Sequence, residues 1–224
     1  MTPDLRIPIE KYIESLFVEH DPVLEQNIAD ADASGLPQIQ VSPNQGKLLY
    51  LLARISGARR VLEIGTLGGY STTWFARALP EGGVLISLEL DRQHAQVARQ
   101  NVDRSGVGQR VTIEVGPAAV TLARLIAQRA EPFDLIFIDA DKPGYSTYLD
   151  LSLQLSRPGT VILADNLIRD GAVLDEAPTE DNARAARVFN AKLAADQRLE
   201  SIIIPVLGKK VDGMSISIVK EQSA

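Results

Sequence analysis

The sequence predicts an α/β fold, a doubly wound and mostly parallel sheet with helices on both faces and an antiparallel hairpin at one edge. Three observations point there. Five short apolar runs recur, at 60–64, 83–88, 110–115, 134–139 and 160–164. Helix-patterned stretches separate or follow them, at 71–79, 92–104, 117–129 and 146–156. Strands that are apolar along their whole length are buried on both faces, and strand–helix alternation lays such strands parallel. After a further helical stretch near 180–196 the pattern changes: two strand-like runs, 200–206 and 214–219, are joined by a turn at Gly208 to Gly213. Two runs so connected form an antiparallel pair.

Ahead of this core the chain reads as helical. Residues 8–30 carry Ile9, Tyr12, Ile13, Leu16 and Phe17 at helical spacing, with a break at Asp21-Pro22. A linker holding Gly35, Pro37 and Pro43 follows. Ser42 is then placed to cap a second helix with Pro43 in its first turn, and Leu48, Leu49, Leu51, Leu52 and Ile55 form the apolar face. No repeat or low-complexity segment interrupts the pattern. At 224 residues the expectation is one domain over 1–224, with N-terminal helices in 1–58 and the α/β core in 59–224.

Composition narrows the chemistry. A formal net charge of −6 argues against a nucleic-acid groove, which needs a basic face. The absence of cysteine excludes disulfides, thiolate zinc sites and cysteine nucleophiles. The two histidines, His20 and His94, do not lie at strand ends. The longest apolar runs are strand-length, so no membrane span is expected. With no signal-peptide pattern at the N-terminus either, the expected location is cytoplasmic.

The segment Gly65-Thr66-Leu67-Gly68-Gly69-Tyr70-Ser71 links the first core strand to a helix. Glycines there permit a tight turn and close backbone approach to a ligand. It is not GxGxxG and lacks the Lys-Ser/Thr of a P-loop, so a phosphate cradle is disfavoured. Its surroundings are acidic. Glu63 sits inside the strand, and Glu89 ends the next one, where a carboxylate can accept hydrogen bonds from both ribose hydroxyls. Such a site suits a nucleoside without phosphates; S-adenosylmethionine is one, and its sulfonium is a cation.

Asp139 ends the fourth strand and Asp165-Asn166 the fifth. Adjacent parallel strands lie about 4.8 Å apart, close enough for these groups to converge. Two carboxylates and an amide, with no His or Cys, make an all-oxygen site that favours Mg²⁺, with Mn²⁺ or Ca²⁺ as alternatives, over zinc or copper. Lys142 follows in the turn Asp141-Lys142-Pro143-Gly144. Beside a bound cation its charged form is disfavoured, which makes it a candidate general base for a hydroxyl that the metal acidifies. A solvated lysine paired with Asp141 is the bland alternative. Tyr145 and Tyr148 read as packing residues.

With these segments together, the chain resembles the cation-dependent class I S-adenosylmethionine-dependent O-methyltransferases, relatives of catechol and caffeoyl-CoA O-methyltransferase, in their bacterial branch. The likeness rests on VLEIGTLGGYST, SLELD, FDLIFIDADKPGY and VILADN, and extends to YIESLFVEHDPVL, VSPNQGKLL, DNLIRDGAV and VDGMSISIVK. It implies a Rossmann-like, seven-stranded sheet whose last strand is inserted antiparallel. It implies that Glu63, Gly65 and Ser71, with Thr66 and Gly69 of the same turn, line the cofactor site on the methionine side. Glu89 would hold the ribose, Ala118 would lie near the adenine, and Asp139 would also border the cofactor. Asp139, Asp165 and Asn166 would bind the divalent cation, and Lys142 would act as or assist the base. Pro117 departs from the family pattern, which often carries an acidic residue after this glycine.

The resemblance further implies a homodimer, with the N-terminal helices and the loop after the metal residues shaping the acceptor pocket. The acceptor would be a small aromatic carrying vicinal hydroxyls, such as a catechol or a phenylpropanoid derivative. The loop 167–180 is expected to border it, with Arg169 either touching an acidic substrate or solvated. An NAD-dependent oxidoreductase on a related fold is the alternative function. It predicts a pyrophosphate-binding GxGxxG turn and a placed catalytic Tyr-Lys pair or His, neither of which is evident.

Overall fold

A computed structural model describes residues 4–221. The outermost positions of the expected span 1–224 lie outside the described residues. Three helices come first: α1 (Arg6–Phe17), α2 (Pro22–Ala33) and α3 (Pro43–Ile55). Local chemistry sets their starts. The Asp21 carboxylate accepts from the backbone N–H groups of Val23 and Leu24, with Pro22 in the first turn of α2. At α3, Ser42 and Gln45 form a reciprocal capping box, each side chain accepting from the other's backbone N–H.

The core then alternates as the sequence pattern requires: β1 (Arg60–Ile64), α4 (Tyr70–Ala78), β2 (Val84–Glu89), α5 (Arg92–Arg104), β3 (Val111–Val115), α6 (Ala118–Ala127), β4 (Leu135–Ile138), α7 (Tyr145–Gln154), β5 (Val161–Ala164), α8 (Asp181–Ala195), β6 (Leu199–Val206) and β7 (Asp212–Val219). The sheet order is β3-β2-β1-β4-β5-β7-β6. β1 to β5 are mutually parallel, while β7 runs antiparallel between β5 and β6. The expected hairpin is therefore present, and its second strand is the one inserted into the sheet. Strand order reverses between β1 and β4, and the C-terminal ends flanking that point are where α/β sheets take ligands.

Alternation along the strands divides the core into two layers. Val61, Leu135 and Phe137 face one side and pack with Leu49, Trp74 and Phe75 of α3 and α4. Leu62, Ile64, Ile136 and Ile138 face the other, against Leu122, Leu149 and Phe189 of α6, α7 and α8. Truncating one of the fully buried aromatics, such as Phe75 or Phe137, removes about 3–5 kcal/mol of stability.

The first helix forms where the spacing predicts, but this chain leaves its apolar face uncovered. No residue of α1 is buried, and Tyr12, Leu16 and Phe17 are each more than half exposed. On α3, Leu49 is buried and Leu48 and Leu52 half-buried, but Leu51 and Ile55 face outward. The apolar periodicity of the N-terminal helices thus exceeds what this chain itself covers. No helix among the described residues is long and apolar enough to cross a membrane.

Candidate active site

The parallel register aligns the ends of four strands. Ile64 pairs with Leu88 and with Ile138, and Ile138 pairs with Ala164. The next residue on each strand is Gly65, Glu89, Asp139 and Asp165. Backbone bonds continue one step past the strands, from Gly65 N–H to Leu88, Asp139 N–H to Ile64 and Asp165 N–H to Ile138. The segments singled out in the sequence therefore stand side by side along the C-terminal edge of the sheet, where the strands end, at the reversal point.

Gly65 has φ +99°, and a Cβ there would overlap the Asp139 carbonyl oxygen, so the β1 turn and the β4 end touch backbone to backbone. Glu89 organises the turn from the β2 side. Its Oε2 accepts from the N–H groups of Thr66 (3.1 Å) and Leu67 (2.8 Å), and its Oε1 accepts from Asp91 N–H (2.9 Å). One carboxylate thus holds the glycine turn against the start of α5. Gly69, at φ +79°, lets the chain enter α4. Ala118 is the first residue of α6, beyond the end of β3.

Glu63 is completely buried. It pairs across the register with Ser87, and its carboxylate accepts from Ser87 Oγ (2.6 Å), Ser71 Oγ (2.6 Å) and Thr72 Oγ1 (2.5 Å). Burial pushes its acid up to about 7, and the three hydroxyl donors pull against that rise. Thr66 extends the network, its hydroxyl lying 2.6 Å from Ser87 Oγ. Glu63 therefore acts through Ser71 and Thr72, at the start of α4. The sequence marks Glu63 and Ser71 but not Thr72 or Ser87; Ser87 is legible only once the β1–β2 register is known.

On the other side of the edge, Lys142 lies in a 3-10 turn at Lys142–Gly144 and is buried. Its ammonium donates to Tyr145 Oη (2.5 Å), the Ala140 carbonyl (3.1 Å) and Asp139 Oδ1 (3.3 Å). The solvated alternative, pairing with Asp141, is not what forms. Asp141 instead caps the turn through Gly144 N–H and accepts from Tyr148 Oη at 2.5 Å. Tyr145 is fully buried, stacks edge-on against Phe189 and donates to the Asp165 carbonyl at 3.0 Å. Burial holds its phenol protonated far above the ordinary range, so it stays a donor. Sequence reasoning treated Tyr145 as packing. Its place three residues after Lys142, at the start of a helix, was the available signal.

Asp165 is buried. Its Oδ2 accepts from Gln45 Nε2 at 3.1 Å, while Oδ1 is buried without a partner. Burial, and then the neighbouring Asp139 carboxylate, raise its acid above the ordinary carboxylate range. Asn166 adopts φ +59°, turning the chain as it leaves β5. The following loop is tied down by Asp212, whose Oδ1 accepts from Ile168, Arg169 and Gly213 N–H. The Arg169 guanidinium pairs with Glu180 at 2.8 Å. Among the described residues no three His, Cys, Asp or Glu side chains gather as a metal cage. The carboxylates that act on one another here are Asp139 and Asp165, with Asn166 next in the chain. An orphaned carboxylate oxygen beside a second carboxylate is the kind of place where a divalent cation supplies the missing partner.

Comparison with known proteins identifies the family. The family model described as O-methyltransferase matches residues 14–219. A catechol O-methyltransferase from Niastella koreensis is 50% identical over 213 residues, covering 95% of this chain and 96% of that one. The solved O-methyltransferase of Bacillus cereus, in complex with S-adenosylhomocysteine, superposes with a TM-score of 0.93 at 41% identity, over 96% of this chain and 98% of that one. An O-methyltransferase from Streptomyces achromogenes involved in tomaymycin synthesis, bound to S-adenosylmethionine, gives a TM-score of 0.93 at 38% identity, over 99% and 100% of the two chains. The oxidoreductase alternative is set aside by these matches. The chain belongs to the O-methyltransferase family and is an S-adenosylmethionine-dependent O-methyltransferase.

Proposed function

We propose that the chain methylates one hydroxyl of a vicinal dihydroxy aromatic in a reaction that depends on a divalent cation, Mg²⁺ first. The observation that carries this is the buried, unpartnered Oδ1 of Asp165 on the same sheet edge as Asp139 and Lys142. The catechol name of the Niastella koreensis relative supports the acceptor class.

When bound, the donor supplies an electrophilic methyl on a sulfonium and the cation supplies Lewis acidity to the acceptor hydroxyls. The residues do the rest. Asp139, Asp165 and Asn166 hold the cation. Glu89 receives the ribose hydroxyls while it fixes the turn at Thr66 and Leu67. Gly65 and Gly69 let the backbone approach the donor, and Glu63 orients Ser71 toward its methionine end. Ala118 borders the adenine.

Lys142 takes the proton of the acceptor hydroxyl. It does so in its amine form, after its own proton has passed to solvent, and its bonds to Tyr145 Oη and the Ala140 carbonyl fix where its nitrogen sits. Proton transfer of this kind contributes about 10²–10⁴-fold, and no protein nucleophile is needed.

The N-terminal helices and the loop 167–180 would shape the acceptor pocket, in a cytoplasmic homodimer. The outward-facing Tyr12, Leu16 and Phe17 of α1 support a covered face there. The test is mass-spectrometric detection of methylated catechol with the wild type and with Asp165→Ala at saturating Mg²⁺. A loss of turnover of at least 100-fold in the variant is expected; undiminished turnover would sink the cation's role.

A further inference from the structure

Gln45 is a residue that neither composition nor the glycine and carboxylate segments single out. It lies in the first turn of α3, 120 positions from Asp165, yet its side chain reaches the sheet edge. Both ends of its amide are engaged. Oε1 accepts from Ser42 N–H at 3.4 Å, closing the capping box, and Nε2 donates to Asp165 Oδ2 at 3.1 Å. The orientation of the amide is set by its partners. Turned over, it would place oxygen against carboxylate oxygen and nitrogen against an N–H, repulsive at both ends.

The bond has a consequence for Asp165. Its two carboxylate oxygens are inequivalent: Oδ2 is tied to α3, and Oδ1 has no protein partner. Gln45 is the side-chain donor to this buried carboxyl, and its bond to Oδ2 bears directly on the rotation of the group. We propose that Gln45 is the positioning residue of the cation site, holding Asp165 so that Oδ1 alone is presented to a divalent cation. This rests on the cation site proposed above. It also makes α3, an element outside the sheet, part of the site's frame. Partners that orient a ligating carboxylate in this way typically govern metal affinity by 10–100-fold when removed.

The experiment is Mn²⁺ titration of the full chain by calorimetry, without donor or acceptor, with free Mn²⁺ followed by its paramagnetic resonance signal. Four proteins are compared: wild type, Gln45→Met, Gln45→Asn and Ser42→Ala. Gln45→Met keeps length and loses the donor. Gln45→Asn keeps the amide but is too short, and serves if the first variant does not fold. Ser42→Ala weakens the cap of α3 without touching Asp165. The expected result is one Mn²⁺ per wild-type chain, a Kd raised at least tenfold in both Gln45 variants, and a Kd within twofold of wild type in Ser42→Ala. Equal Mn²⁺ affinity in wild type and the Gln45 variants would overturn the role of Gln45 while leaving the cation site standing. Equal weakening in Ser42→Ala would also overturn it, by assigning the effect to the helix cap. No Mn²⁺ binding by the wild type would overturn the cation site itself.

Discussion

The ammonium of Lys142 lies 2.5 Å from the phenolic oxygen of Tyr145, and that phenol in turn donates to the backbone carbonyl of Asp165 at 3.0 Å. A single buried side chain therefore joins the candidate base to the strand end that carries a candidate cation ligand. In the proposed mechanism Tyr145 is a positioning residue: it fixes where Lys142 sits.

Tyr145→Phe keeps the ring against Phe189 and deletes only the hydroxyl. It leaves Lys142 short of an acceptor and the Asp165 carbonyl short of this donor, at a cost of about 1–3 kcal/mol in stability. We expect kcat to fall roughly tenfold with the KM for S-adenosylmethionine unchanged. Lys142→Met removes the base and should lower kcat by about 10²–10⁴-fold. Steady-state kinetics on both variants, with thermal melts alongside, separates positioning from chemistry. A Lys142→Met enzyme with wild-type kcat would remove the base from the mechanism.

Glu63 predicts a pH dependence of stability. Its acid stands at about 7 in the folded chain against 4.5 for an ordinary glutamate. Between those values the folded state holds a proton that the unfolded state has lost, so stability falls as pH rises from about 4.5 to 7 and levels off above. The displacement corresponds to something on the order of 3 kcal/mol. Glu63→Gln removes this contribution. Melting temperatures at pH 5 and pH 8 should therefore differ less in the variant than in the wild type, by several degrees for a domain of this size. An unchanged difference would mean that Glu63 does not titrate in this range.

Much of this was legible in the sequence, and the reasons are specific. The strands 60–64 and 161–164 show because buried parallel strands are apolar throughout, and β1 falls at the predicted residues. Glu63, Glu89, Asp139 and Asp165 show because a charge inside or at the end of an apolar run is costly without a partner. Gln45 and Tyr145 do not show, because each has an ordinary local role, one as a helix cap and the other as an aromatic at a helix start. Their second partners lie 120 and 20 residues away and exist only after folding. Ser87 is invisible until the β1–β2 register places it opposite Glu63. The apolar spacing of α1 shows the helix but not what covers its apolar face, since periodicity reports what a helix can cover, not who covers it.

The glycine turn gives a binding prediction. Glu89→Ala frees the N–H groups of Thr66, Leu67 and Asp91 at once and removes the proposed ribose acceptor. Calorimetric titration with S-adenosylhomocysteine should show affinity lowered at least tenfold, about 1.4 kcal/mol or more. Gly65→Ala should be worse, because at φ +99° its methyl meets the Asp139 backbone. Destabilisation above about 1 kcal/mol is expected for it. A Glu89→Ala protein that binds the product normally would show that the carboxylate is structural only.

Dependence on a divalent cation is the central claim, and removing the cation tests it most directly. Methyl transfer from S-adenosylmethionine to a small panel of catechols should be measured as prepared, after EDTA, and after Mg²⁺ is restored in excess. The expected result is turnover that EDTA abolishes and Mg²⁺ returns, with Asp139→Ala and Asp165→Ala silent throughout. Turnover indifferent to EDTA would contradict the account: the methyltransferase would stand, and the paired carboxylates at the ends of β4 and β5 would need another explanation.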